Sequence, residues 1–215
     1  MDSLQAVNAR TRRAYNLAAE TYHELFCGEM QQKEYDRKLL DRFAGSLRGG
    51  ALVCDAGCGP SGHIGRYVFD KGVQVVGLDI SDRCVELARQ HNRDMPFVQG
   101  DIGELPFADR SVDGIIAYYS IIDTPKRCVA RLFAGFHRVL RPGGRLLVAV
   151  KAGENEGYLT ELLGIETEIY MSLFTQDEIR AYLQQAGLTL EWLDQRSPYE
   201  WEINAERVFA IGRRP

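Results

Sequence analysis

The sequence predicts an α/β fold built on a mostly parallel sheet. Short apolar runs alternate with helix-patterned segments between Ala51 and Val150, and an acidic residue stands at or just past the end of each of the first three runs. The last two strand-like runs follow one another with no helix between them. Parallel neighbours need a crossover, which the intervening helices supply, whereas the final pair is free to be antiparallel.

Residues 1–48 read as a helical N-terminal part. Leu4, Val7, Ala14, Leu17, Ala18 and Leu25 keep an approximately helical period. Leu39, Leu40 and Phe43 continue it in a second segment, which Gly49-Gly50 ends. Residues 51–150 form the core. Ala51–Cys54 suits a buried strand, Ile64–Asp70 a helix closed by Gly72, and Val73–Leu78 a second strand ended by Asp79. Ser81 is placed to cap a helix running to about Ala88, and Pro96–Gln99 is a third strand. Val112–Tyr118 and Leu146–Val150 are strands flanking a helix over Val129–Leu140. In the remainder, 151–215, Thr175 with Glu178 three residues later marks a helix start and Gly187 its stop. Leu188–Leu193 and Arg207–Ile211 are expected to pair as an antiparallel hairpin at the sheet edge.

With 215 residues, 45% apolar and 26% charged, the chain fits one soluble globular domain, expected as a monomer or homodimer. A net charge of −4 provides no basic excess, so no nucleic-acid partner is expected. The five cysteines include no CxxC pair, so neither a disulfide framework nor a metal site is expected. Met1-Asp2-Ser3-Leu4-Gln5 lacks the apolar core of a signal peptide, and no stretch approaches a membrane span; no membrane partner and a cytoplasmic location are the expectation.

The chemistry concentrates in Asp55-Ala56-Gly57-Cys58-Gly59-Pro60-Ser61-Gly62, between a strand and a helix. Glycines allow close approach of backbone to ligand, and loop amides with a helix N-terminus suit a polar or anionic group. The literal G-x-G-x-x-G spacing, followed about twenty residues later by Asp79, is the dinucleotide fingerprint and taken alone favours NAD. Its neighbours shift that reading. Asp55 repels a pyrophosphate and suits a cationic cofactor. Asp79 is placed to accept two ribose hydroxyls, and Asp101 an exocyclic adenine amine.

On these residues the sequence resembles the class I S-adenosylmethionine-dependent methyltransferases over nearly its whole length. The resemblance rests on Val53–Gly59, Val76–Ser81, Gly100-Asp101-Ile102, Ser111–Ile115 and Val139–Arg145, in that order. Tyr15, Ala19 and Tyr22 resemble a Y-x-x-x-A-x-x-Y helix that covers the cofactor in small-molecule members. The resemblance implies a Rossmann-like, doubly wound sheet of seven strands with the last antiparallel, helices on both faces and an N-terminal helical lid. It implies S-adenosylmethionine as cofactor, held by Tyr15, Tyr22, Asp55, Gly57, Cys58, Gly59, Asp79, Ile80, Asp101, Ile102 and Tyr118. One departure is Ser61, which delays the third glycine to Gly62.

Other candidates carry bland readings beside functional ones. Asp79 also suits a helix cap, Asp101 a loop carboxylate, and Asp55 the ordering of its own loop. Asp113, before a buried strand, reads as structural. Tyr118 and Tyr119 end the fourth strand, at the reactive face or in the core. His23 and Tyr119 are the candidates for a catalytic group, while His63 and His137 read as surface histidines. Tyr118-Tyr119-Ser120-Ile121 replaces the Asn/Asp-Pro-Pro-Tyr/Phe of amino-methylating nucleic-acid enzymes, which argues against adenine or glutamine as the acceptor. The expected function is methyl transfer to a small-molecule acceptor; the alternatives are a non-catalytic cofactor-binding module and an NAD-dependent oxidoreductase.

Overall fold

Every residue of the strand Val112–Tyr118 is buried, and this strand is the middle of the molecule. The computed structural model describes residues 3–215. Nine strands occur among them: β1 Leu52–Ala56, β2 Gln74–Asp79, β3 Phe97–Gln99, β4 Val112–Tyr118, β5 Leu140–Lys151, β6 Glu156–Leu162, β7 Ile165–Ser172, β8 Thr189–Arg196 and β9 Arg207–Arg213. Seven form one sheet in the order β3-β2-β1-β4-β5-β9-β8, with β9 antiparallel to both its neighbours and the other pairs parallel. This is the doubly wound sheet with its last strand antiparallel, and β8 with β9 form the antiparallel pair at its edge.

Six helices flank it: α1 Leu4–Phe26, α2 Glu34–Gly45, α3 His63–Phe69, α4 Asp82–His91, α5 Lys126–Val139 and α6 Gln176–Gln185. Alternate residues of β4 enter opposite cores. Ile115 and Ala117 pack with Phe133 and Phe136 of α5 and Leu183 of α6. Ile116 and Tyr118 pack with Leu40 and Phe43 of α2, Val68 of α3 and Val85 of α4. Burial on both faces is why these strands are continuous apolar runs. Two helix starts carry the signals expected of them. Ser81 accepts from the Cys84 amide, and Thr175 and Glu178 make a reciprocal capping box.

Three expectations are corrected. Leu17 and Leu25 of α1 are exposed, and the helix buries Val7, Thr11, Ala14, Ala18 and Ala19 instead. That small-residue stripe lets α1 approach the sheet edge closely, resting on α4 and on β7. Residues 156–172 hold a hairpin, β6 with β7, that was not read as strand. β5 begins at Leu140, six residues before the apolar run that marks it. Asp113 is structural: it binds the Leu52 amide (3.0 Å), Arg48 (2.7 Å) and Arg141 (2.6 Å), joining β1, β4 and β5.

Candidate active site

Parallel strands deliver their carboxyl ends to one edge, and the residues there line a cavity of about 650 Å³ of atom-free space, its mouth included. From β1, Gly57 and Gly59 form its floor, and Asp79 and Ile80 follow β2. Asp101 and Ile102 follow β3, and Tyr118, Tyr119 and Ser120 end β4. Asp123 and Thr124 lie one turn further on, and α1 closes the roof with Asn8, Thr11, Tyr15 and Tyr22.

The glycine loop is not an anion cradle, and its hydrogen bonds say why. The amides of Gly57 and Cys58 both donate to the Leu78 carbonyl (2.7 and 3.0 Å), and the Gly59 amide donates to Asp79 Oδ2 (2.9 Å). At the N-terminus of α3 the Gly65 amide donates to Asp55 Oδ2 (2.9 Å). The helix end that would attract a phosphate is thus already filled by a carboxylate. Asp55 is correspondingly buried beneath the loop, off the cavity wall, which corrects its placement as a cofactor-facing acid. Cys58 is also corrected: its side chain packs in the core against Gly77, away from the cavity. Ser61 points away too, its hydroxyl 2.9 Å from His23 Nδ1 and its carbonyl accepting from Asn92. Gly62 supplies the left-handed turn into α3 (φ 56°), against the Phe97 ring.

The carboxylates are tuned by burial. Desolvation pushes Asp79 up to about 6, opposed by the amides of Ser81, Gly59 and Ile80 that it accepts. Asp55 rises to about 7 for the same reason, with the Gly65 amide opposing. Asp123 also rises to about 7 by desolvation, while the Tyr15 hydroxyl and Lys151 facing it pull it down. Asp101 caps a single turn at 102–104 through Gly103 and is held from α1 by the Asn8 amide nitrogen (2.5 Å).

At the far end, Tyr119 sits in the left-handed region (φ 57°), a conformation that costs a side-chain-bearing residue about 1–2 kcal/mol. The kink turns its ring out of the strand line, edge-on to Tyr118. The Tyr118 hydroxyl donates to Asp36 Oδ1 (2.5 Å), and Asp36 is bound in turn by Arg196 (2.9 Å). Glu202 joins Arg196, Arg207 and Lys33, and Lys33 lies over the Tyr119 ring. This buried ionic cluster ties α2 and the β8–β9 connection to the back of the cavity.

Of the six buried side-chain polar atoms without a hydrogen-bond partner among the described residues, four line this one cavity: Thr11 Oγ1, Tyr119 OH, Ser120 Oγ and Asp123 Oδ1. Such orphans are costly unless a ligand takes them up. The wall holds three carboxylates and no Lys, Arg or His. It therefore fits a cation with several hydrogen-bonding groups, as S-adenosylmethionine is, and opposes the doubly anionic pyrophosphate of NAD.

His23 is corrected as a catalytic candidate. It stacks on His91 (3.8 Å between ring centres) and lines a separate surface hollow with His63, whose Nε2 pairs with Glu29. Asn8, Thr11, Ser120, Asp123 and Thr124 were missed. Asn8 and Thr11 share a helical stripe with Tyr15 and Tyr22, a spacing that could have revealed them. Asp123 had its position just past a central strand end as a signal.

Comparison with known proteins agrees with this geometry. The profile of a methyltransferase-domain family matches residues 54–148. The chain is 36% identical over 194 residues to the 27-O-demethylrifamycin SV methyltransferase of Amycolatopsis mediterranei, covering 81% of this chain and 69% of that protein. It is 32% identical over 180 residues to the demethylmenaquinone methyltransferase of Renibacterium salmoninarum, covering 80% and 72%. The match to the malonyl-[acyl-carrier protein] O-methyltransferase of Pectobacterium atrosepticum is 34% over 149 residues, 69% of this chain and 54% of that protein, so the chain spans about half of that relative's length. In fold it is similar to the Burkholderia thailandensis 1,6-didemethyltoxoflavin-N1-methyltransferase, solved with S-adenosylhomocysteine (TM-score 0.76, 18% identity, 100% of this chain and 91% of that one). The fold and site define a Rossmann-like methyltransferase, and the chain belongs to the class I S-adenosylmethionine-dependent methyltransferases.

Proposed function

We propose that the protein transfers a methyl group from S-adenosylmethionine to a nucleophilic atom of a small-molecule acceptor. The observation that carries the reading is the cavity wall: three carboxylates, no cationic side chain and four unpartnered polar atoms. The relatives named for 27-O-demethylrifamycin SV and demethylmenaquinone support a small acceptor. The cofactor supplies an activated sulfonium methyl, so the chain's task is to bind, align and exclude water. In this reading Asp79 accepts the ribose hydroxyls and Asp101 the adenine amine, with Ile80 and Ile102 against the adenine faces. Gly57 and Gly59 let the amino-acid part lie close to the loop, and Tyr15 and Tyr22 cover it from α1. Residues 1–48 act as the lid, 51–150 as the cofactor core and 151–215 as the acceptor side.

Calorimetric titration tests the cofactor, with S-adenosylhomocysteine expected to bind and NADH not. The reverse result would overturn the reading in favour of an oxidoreductase. Transfer of labelled methyl from S-adenosylmethionine to any compound of a metabolite panel rejects the non-catalytic module.

A further inference from the structure

Asp123 is the carboxylate of the cavity that the fold engages least, with the Tyr15 hydroxyl as its side-chain hydrogen-bond donor. Its side chain is about nine-tenths buried, and Oδ1 has no partner. Asp79 and Asp101, by contrast, each have both oxygens engaged by hydrogen-bond donors of the protein. Position along the sheet edge separates the roles further. The strand order β3-β2-β1-β4-β5 sets Asp101, Asp79, the glycine loop and the β4 end in a row. A cofactor with its adenine at Asp101 and its ribose at Asp79 runs past the glycine loop and brings its reactive end to β4. Asp123 stands there with the orphan hydroxyls of Tyr119 and Ser120. The groups facing Asp123 are the Tyr15 hydroxyl from α1, Lys151 from β5 and, at longer range, Asp79 from β2. None of the cavity-lining residues carries a positive charge to balance a second anion.

Resting on the methyltransferase reading, we propose that Asp123 is a catalytic residue that takes the proton of a neutral hydroxyl acceptor, and that the acidic wall turns carboxylate acceptors away. A lone pair of the acceptor oxygen forms the new bond to the methyl carbon. The carbon–sulfur bond breaks with its electron pair going to sulfur. The O–H bond electrons stay on oxygen, and the proton passes to Asp123 Oδ1. The neutral product and the neutralised carboxyl no longer attract one another strongly, which favours release. A carboxyl whose proton affinity is raised to about 7 by burial is matched to this task at neutral pH. A carboxylate acceptor needs no base and would lie beside a like charge that Lys151, behind the cavity wall, offsets only in part.

The test uses the full-length protein saturated with S-adenosylhomocysteine and labelled with carboxyl-13C aspartate, D123N assigning the Asp123 signal. The expected result is that this signal still titrates near neutral pH with the product bound. D123N, checked for folding by its thermal melt, should bind S-adenosylhomocysteine within about threefold of the parent. A loss beyond about tenfold, or an Asp123 signal that no longer titrates near neutrality once the product binds, overturns the proposal and makes Asp123 the partner of the cofactor's ammonium group. The acceptor class is probed with 2-naphthol, neutral at pH 7.5, against 2-naphthoate, anionic there. Naphthol should bind the loaded protein at least about tenfold more tightly and shift the Asp123 signal, and D123N should improve naphthoate binding. Failure of naphthol to bind more tightly than naphthoate overturns it. Failure of the parent protein to bind S-adenosylhomocysteine at all would instead defeat the methyltransferase reading beneath it.

Discussion

Gly57 and Gly59 stand two residues apart in one loop, yet alanine at the two positions should have different consequences. At Gly57 the backbone is left-handed (φ 85°), and an added Cβ would lie 2.2 Å from Ser120 Cβ and 3.5 Å from its Cα. That contact is with the root of a side chain, so no rotamer change relieves it; the ends of β1 and β4 must separate. The left-handed conformation costs about 1–2 kcal/mol and the overlap about 1–3, so Gly57→Ala should destabilise by about 2–5 kcal/mol. At Gly59 (φ 64°) the nearest atom is Tyr22 Cε1 at 3.7 Å, an ordinary contact. Gly59→Ala should therefore carry only the conformational part, about 1–2 kcal/mol. Urea unfolding of both variants at pH 7.5 measures the two costs. Gly57→Ala within about 1 kcal/mol of the parent, or equal to Gly59→Ala, would refute the claim that β1 and β4 meet there without slack.

Asp79→Ala should weaken S-adenosylhomocysteine binding by about 1–3 kcal/mol in calorimetry. The parent's affinity should rise as pH climbs through about 6, where Asp79 ionises, while the free protein's stability falls from the ordinary carboxylate range up to that pH, because the native state holds the proton more tightly than the unfolded chain. Asp113→Asn should cost about 1–3 kcal/mol in urea unfolding and leave cofactor affinity unchanged. Against the burial that would raise it, the Leu52 amide and then Arg48 and Arg141 hold the Asp113 carboxyl below its usual range, so this stabilisation is present at neutral pH and lost as pH falls through the lowered value. Arg196→Met leaves buried Asp36 without its cationic partner, while Glu202 keeps Lys33 and Arg207, and should destabilise by about 3–5 kcal/mol, with Asp36→Asn in the same chain recovering part of the loss in thermal melts.

The sheet was legible because its central strands are buried on both faces and helices α4 and α6 carry cap residues at their starts. Ser81 and Thr175 each bind the amide three residues on, so a local sequence rule was enough. The β6–β7 hairpin was hidden for the opposite reason. β6 is exposed along most of its length, so no alternation of apolar and polar residues was required of it. Its turn is Leu163-Gly164 with both φ positive (54° and 80°), the geometry that Asn-Gly usually announces, here under a leucine. Leu17 and Leu25 misled in the other direction: they fit the helical period, but close packing of α1 needed the alanines at 14, 18 and 19.

The site was legible as a set of acids at strand ends, which outweighed a glycine pattern that taken alone favours NAD; hydrogen-bond directions supply the physical reason. Glycine spacing constrains where backbone can go, not where amides aim. Here the amides of residues 57 and 58 turn inward to Leu78, and Gly59 is spent on Asp79. Asp55 completes the inversion: buried at the N-terminus of α3, it takes the place a phosphate would occupy. What remains facing the ligand is carboxylate and hydroxyl. The same loop spacing thus serves a cation, because the positive ends of its dipoles have already been satisfied from within. Asp55 occupies the α3 N-terminus from beneath the loop, and the charge of the cavity wall comes from Asp79, Asp101 and Asp123.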